Sequence, residues 1–154
     1  MKTAREQVKT RNNFYITIIL FLVFGTSIAL AKDNIIIEAE DYKSGPNGIE
    51  VASSDKASNG EFVTQLKGNN TLVYSFKVDN EGEYDLFMLA ANKNRDDATM
   101  DIEVNGEKFN NVSIARSFDW NVFQENKIQG VSLVSGKNTV KITQKLSLSC
   151  RPDK

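Results

Sequence analysis

The chain has 154 residues, 40% hydrophobic and 25% charged, with a formal net charge of −1. That balance gives no electrostatic case for nucleic acid or an anionic membrane as a partner. It contains no His and a single Cys, Cys150, which removes the commonest general base and metal ligand and excludes an intramolecular disulfide. Without a His partner, Cys150 reads as a small apolar residue rather than a nucleophile.

Lys2, Arg5, Lys9 and Arg11 form a basic n-region, an apolar run extends from Phe14 to Leu30, and Ala29-Leu30-Ala31 is a small-x-small cleavage signature. The pattern predicts a helical signal peptide over residues 1–31 and a secreted, periplasmic or cell-envelope protein. The run is also near the length that spans a bilayer, so an uncleaved leader would act as an anchor. Residues 1–31 hold four basic residues and one acid, so their removal leaves one ordinary domain, 32–154, of net charge −4.

Beyond the leader the pattern is β almost throughout. In Ile35 to Tyr42, Ile35, Ile37 and Ala39 alternate with Ile36, Glu38 and Glu40, which predicts a strand with two carboxylates on one face. Leu72, Tyr74, Phe76 and Val78 alternate with Val73, Ser75 and Lys77. The same period recurs with Tyr84, Leu86, Met88 and Ala90, and again with Met100, Ile102 and Val104. Turn signals separate these runs, Asn105-Gly106 being the sharpest because both residue types tolerate positive φ. Asn92-Lys93-Asn94-Arg95-Asp96-Asp97 is the longest polar interruption and is expected to be a surface loop. Many short one-sided strands predict an all-β, antiparallel β-sandwich. The pattern favours a jelly roll, although periodicity alone does not separate that order from an immunoglobulin-like one.

Four ordered blocks carry a family resemblance over roughly residues 35–143. They are Glu38-Ala39-Glu40; Asn59 to Val63 with Asn70 to Phe76; Gly82 to Leu86 leading into Val104-Asn105-Gly106; and Asp119 to Phe123 with Val131 to Leu133 and Gly136 to Val140. Together they resemble the family 6 and family 35 carbohydrate-binding modules, non-catalytic β-sandwiches attached to secreted polysaccharide-degrading enzymes. The resemblance implies a polysaccharide or oligosaccharide ligand. It matches Trp120 to an exposed aromatic platform and Phe62 to the ring on the other side of the cleft, with Asp119 and Asn121 as nearby polar groups. It implies that Glu38 and Glu40 hold a structural calcium. The family normally adds a last strand with a further acid; Val140 to Cys150 runs on without a turn signal, so that strand is expected to be missing or cut short, unless Asp153 substitutes for its acid.

Each residue also has a plainer reading. Trp120 could fill the core between the sheets, and Glu38 and Glu40 could be strand-edge carboxylates facing water or Lys. The Glu38/Glu40, Asp96/Asp97 and Asp101/Glu103 pairs supply glycosidase residue types without a recognisable motif, so the chain is read as a binder and not an enzyme. Two other classes stay open. One is the N-terminal module of a larger glycoside hydrolase or polysaccharide lyase. The other is an envelope or adhesion sandwich without a sugar cleft.

Overall fold

Burial of every second residue makes the alternating runs strands of two packed sheets. The computed structural model describes the backbone of residues 15–21 together with residues 35–64, 66, 68–93 and 98–145. In chain order the strands are β1 (Tyr15–Phe21), β2 (Ile35–Ile37), β3 (Glu50–Ser53), β4 (Glu61–Thr64), β5 (Thr71–Val78), β6 (Gly82–Ala91), β7 (Ala98–Val104), β8 (Glu107–Ile114), β9 (Gln124–Leu133) and β10 (Gly136–Gln144). A 3-10 turn, Ala39–Asp41, follows β2. The larger sheet runs β3-β4-β1-β6-β9, with β2 also on β1, and the smaller runs β5-β10-β7-β8. The sequence expectation of an all-β antiparallel sandwich agrees with this architecture. No helix among the described residues is long and apolar enough to cross a membrane.

Both sheets feed one core. Leu72, Tyr74 and Val78 of β5, Leu86, Met88 and Ala90 of β6, Met100, Ile102 and Val104 of β7, and Val140 and Ile142 of β10 are all buried in it. These are the alternating sets read from the sequence, Phe76 being only partly covered. Asn105 and Gly106 turn β7 into β8 with φ of 49° and 94°, the two positive values a type I′ turn needs. The buried Asn138 amide clasps this turn to its neighbour. Its Nδ2 donates to the carbonyls of Val134 and Gly136, and its Oδ1 accepts from Asn105 Nδ2 and Val134 N–H.

Two sequence expectations need correction. The helical reading of the leader fails at Tyr15–Phe21, which forms a strand with seven register partners on β6, three on β2 and one on β4. A continuous apolar run fits a buried strand as well as a helix. Ile16, Thr17, Ile18 and Ile19 are β-branched, which favours the extended form. The second correction concerns Glu38 and Glu40. Strand pairing stops at Ile37, and the fully buried Ala39 turns the backbone into the 3-10 turn, so strand alternation does not align the two carboxylates. The cleavage signature at Ala29–Ala31, residues 94–97 of the polar loop, Cys150 and Asp153 lie outside the described residues.

Candidate functional site

The segment Ala115–Phe123 joins β8 to β9 and holds Trp120, Asp119 and Asn121. Its stretch is too polar and irregular to pair as a strand, so buried side chains fix it instead. Asn92, at the end of β6 and fully buried, donates from Nδ2 to the Ile114 carbonyl at 3.1 Å. Its backbone N–H donates to Ser117 Oγ at 2.9 Å, and its carbonyl accepts from Ser117 N–H at 2.8 Å. Buried Asn126 of β9 accepts from Ala115 N–H at 3.2 Å and donates to the Gln124 carbonyl. The segment is thereby tied to the larger sheet at both ends. Asn92 was expected on a surface loop and is instead an internal fastener.

On this anchored segment the most open large apolar side chain is Phe118, 67% exposed. Its φ is +64°, a left-handed value that costs a non-glycine residue on the order of 1–2 kcal/mol. The backbone bonds at Ser117 hold it there, and Ser117 Oγ donates to the Asp119 carbonyl at 2.7 Å. The Arg116 guanidinium sits 4.1 Å from the centre of the Phe118 ring, a cation–π contact that covers one face and leaves the other to solvent. Val122, 46% exposed, extends the apolar surface.

The residues expected to form the platform are placed differently from one another. Trp120 is half-buried, more covered than a fully open platform would be. Phe62 is only 6% exposed and packs edge-on against Phe123, with ring centres 5.9 Å apart and planes at 61°. Its burial keeps it off the open surface, because β4 lies inside the sheet and Phe123 lies against it. Asp119 and Asn121 are exposed, and Asp119 Oδ1 accepts from Asn121 N–H at 2.8 Å, closing a tight turn around Trp120. Phe118 was missed. The available signal was an aromatic between two polar residues, Ser117-Phe118-Asp119, in a stretch with no alternation.

Glu38 and Glu40 meet the β3–β4 loop. Ser58 Oγ donates to Glu38 Oε2 at 2.5 Å, and Asn59 Nδ2 donates to Glu40 Oε1 at 3.1 Å. The other oxygen of Glu40, Oε2, is buried and receives no hydrogen bond from the described residues. A buried carboxylate oxygen without a donor is costly unless a cation or water completes it. The Tyr74 hydroxyl braces the turn from the smaller sheet, donating to the Ala39 carbonyl at 2.9 Å. Burial first, and then the Glu40 carboxylate, push the Tyr74 phenol well above the ordinary tyrosine range. Among the described residues no cluster of three or more acids, His or Cys forms a ready metal site.

Two antiparallel sheets carry an aromatic-bearing segment at the β6 end and a carboxylate turn beside the β3–β4 loop. No protein-family model and no curated protein matches the chain, but solved structures share its fold. A family 35 carbohydrate binding module from Clostridium thermocellum matches at 25% identity and a TM-score of 0.59, over 69% of this chain and 83% of that one. A family 6 carbohydrate-binding module from Clostridium cellulolyticum, solved with xylose, matches at 23% identity and a TM-score of 0.53, over 71% and 83%. An exo-beta-1,3-galactanase from Phanerochaete chrysosporium, solved with galactose, matches at 19% identity and a TM-score of 0.58. That match spans 71% of this chain and 26% of the enzyme. The fold expected from the sequence resemblance is the fold these structures share.

Proposed function

We propose that this chain is a non-catalytic carbohydrate-binding domain that takes a polysaccharide or oligosaccharide on the Ala115–Phe123 segment. The observation that carries the reading is the open Phe118 ring, two residues along the chain from half-buried Trp120, on a segment fastened by buried amides. Sugar rings present apolar C–H faces, and a rigid aromatic surface receives them at low entropic cost. Arg116, Asp119 and Asn121 supply hydrogen-bonding groups around the rings. Phe62 acts by packing against Phe123 rather than by touching sugar.

The carboxylate turn fits a calcium ion as a second, structural part of the proposal. Glu38 and Glu40, with the Ser58 hydroxyl and the Asn59 amide oxygen, would hold it, the strongest reason being the buried Glu40 Oε2, which has no partner among the described residues. Calcium there would neutralise two neighbouring carboxylates and complete their coordination with oxygens. Added calcium is expected to raise the melting temperature of the wild type and not of Glu40→Gln. An unmoved melting curve in the wild type would remove the metal from the proposal.

Affinity gel electrophoresis against soluble xylans, galactans and glucans tests the sugar reading. Phe118→Ala and Trp120→Ala should each weaken retention at least about tenfold, in line with hot-spot aromatics. Phe118→Ala should leave the fold intact, since its ring is mostly in water. Failure of the wild type to bind any glycan, or full retention by both variants, would refute the assignment.

A further inference from the structure

We infer that Tyr15–Phe21 is a structural strand of the folded domain, so that processing after Ala31 would remove a central element of the larger sheet. β1 has neighbours on both sides, β6 on one and β2 and β4 on the other. Its register is coherent with burial on each side. Ile16 is paired with Val63 and Ala90, Ile18 with Ile37 and Met88, and Leu20 with Ile35 and Leu86. Five of those six partners are buried, Ile35 being partly covered. The register thus sets positions 16, 18 and 20 of the backbone opposite the covered residues of β2, β4 and β6 on both sides.

Removing β1 would be far more damaging than trimming an edge. The backbone of β6 from Asp85 to Ala91 would lose its partners on one side, beside Leu86, Met88 and Ala90, which are at most 2% exposed. Buried amides and carbonyls without partners are strongly disfavoured. β2 pairs with β1 and with no other described strand, and β3–β4 reaches β6 only through β1. The sheet would part into a β6–β9 half and a β3–β4 half. The Glu38–Glu40 turn, which follows β2 directly, would lose its tether. The seven residues cannot be both a discarded leader and the strand that joins these halves.

Hydrogen exchange on the purified full chain tests this directly. The amides of Thr17 to Leu20 should exchange at least about 1000-fold more slowly than in a free peptide, comparably with β6, as central strands do. Exchange at free-peptide rates would overturn the inference. A second readout does not depend on a large stability change. Thr17 and Leu89 are direct partners, and Leu89 is only partly covered. In a Cys150→Ser background, Thr17→Cys with Leu89→Cys should close a disulfide under mild oxidation at least about tenfold faster than Thr17→Cys with Met88→Cys, which is out of register. Equal rates, or no closure, would overturn the register. Neither measurement involves a sugar, so its outcome is separate from that of the carbohydrate reading.

Discussion

Replacing Tyr74 by Phe isolates one hydroxyl, and its effect has a pH signature that packing alone cannot imitate. The ring is fully buried, and so is Ala39, whose carbonyl accepts the hydroxyl at 2.9 Å. Phe fills the same space, so little cavity arises, but the Ala39 carbonyl is left buried without its partner. That costs about 1–3 kcal/mol, a fall in melting temperature of roughly 3–8 °C for a domain of this size. The folded phenol is held above the ordinary value of about 10 by burial and by Glu40, so it stays protonated where the unfolded one ionises. The unfolded state therefore binds fewer protons above that point, and wild-type stability falls as pH rises from about 10, by about 1.4 kcal/mol per unit. Tyr74→Phe has no proton to lose here. The gap between the two proteins should be full below pH 10 and close within about one to two units above it. Paired urea melts between pH 7 and 11 would measure this. Parallel curves across the range, or a Tyr74→Phe protein as stable as the wild type at neutral pH, would refute the reasoning.

Two further perturbations probe the rest of the frame. Asn92→Ala deletes the donor to the Ile114 carbonyl in a fully buried position, and should cost about 1–3 kcal/mol by urea melts while weakening glycan retention through the loosened Ala115–Phe123 segment. Asp101 accepts from Asn111 N–H at 2.9 Å, across the irregular β7–β8 register, and pairs with Lys145 at 2.7 Å. The Lys145 hydrogen bond first, then the Asn111 amide, hold its carboxyl below the usual range. A depressed folded value gives stabilisation that is present above pH about 4 and lost as pH falls through the folded value. Asp101→Asn should therefore lower stability at neutral pH and flatten the acid limb, its urea-melt stability meeting that of the wild type once pH falls below the folded value; equal stability of the two proteins at neutral pH would refute this.

How much of this was legible in the sequence depended on whether the deciding interactions were local. β5, β6 and β7 announce themselves, because one of their faces packs on the core and the other meets water. Asn105-Gly106 is equally plain, since its turn is set by the φ that those two residues tolerate. β9 is fainter: of its ten residues only Asn126, Val131 and Leu133 are buried, and Gly130, at φ 69°, sits where its register with β6 shifts. β1 was unreadable as a strand because an unbroken apolar run has no period of its own, and what decides it are partners some 70 residues away. Trp120 was legible as a site candidate by its type and its polar neighbours. Phe118 was not, because its openness rests on a positive φ imposed by Ser117 and Asn92, the latter 26 residues earlier in the chain.

That dependence on distant amides bears on how such a surface can bind a flexible, hydrated ligand. A glycan loses torsional freedom when it is held, and the protein must not add a comparable loss of its own. A long polar segment would ordinarily do so, since ordering each residue costs on the order of 1–2 kcal/mol. Here folding bears that cost, through Asn92 and Asn126, whose buried amides are satisfied by carbonyls, amides and a hydroxyl of the segment and its flanking strands. Deeply buried amides at the end of an exposed, aromatic-bearing segment are poor choices for stability alone, because apolar residues would fill the same space with fewer polar groups to satisfy. They make sense if the position of the rings matters. The strained Phe118 backbone points the same way, as a local cost tolerated at the place where the side chain meets solvent rather than in the core.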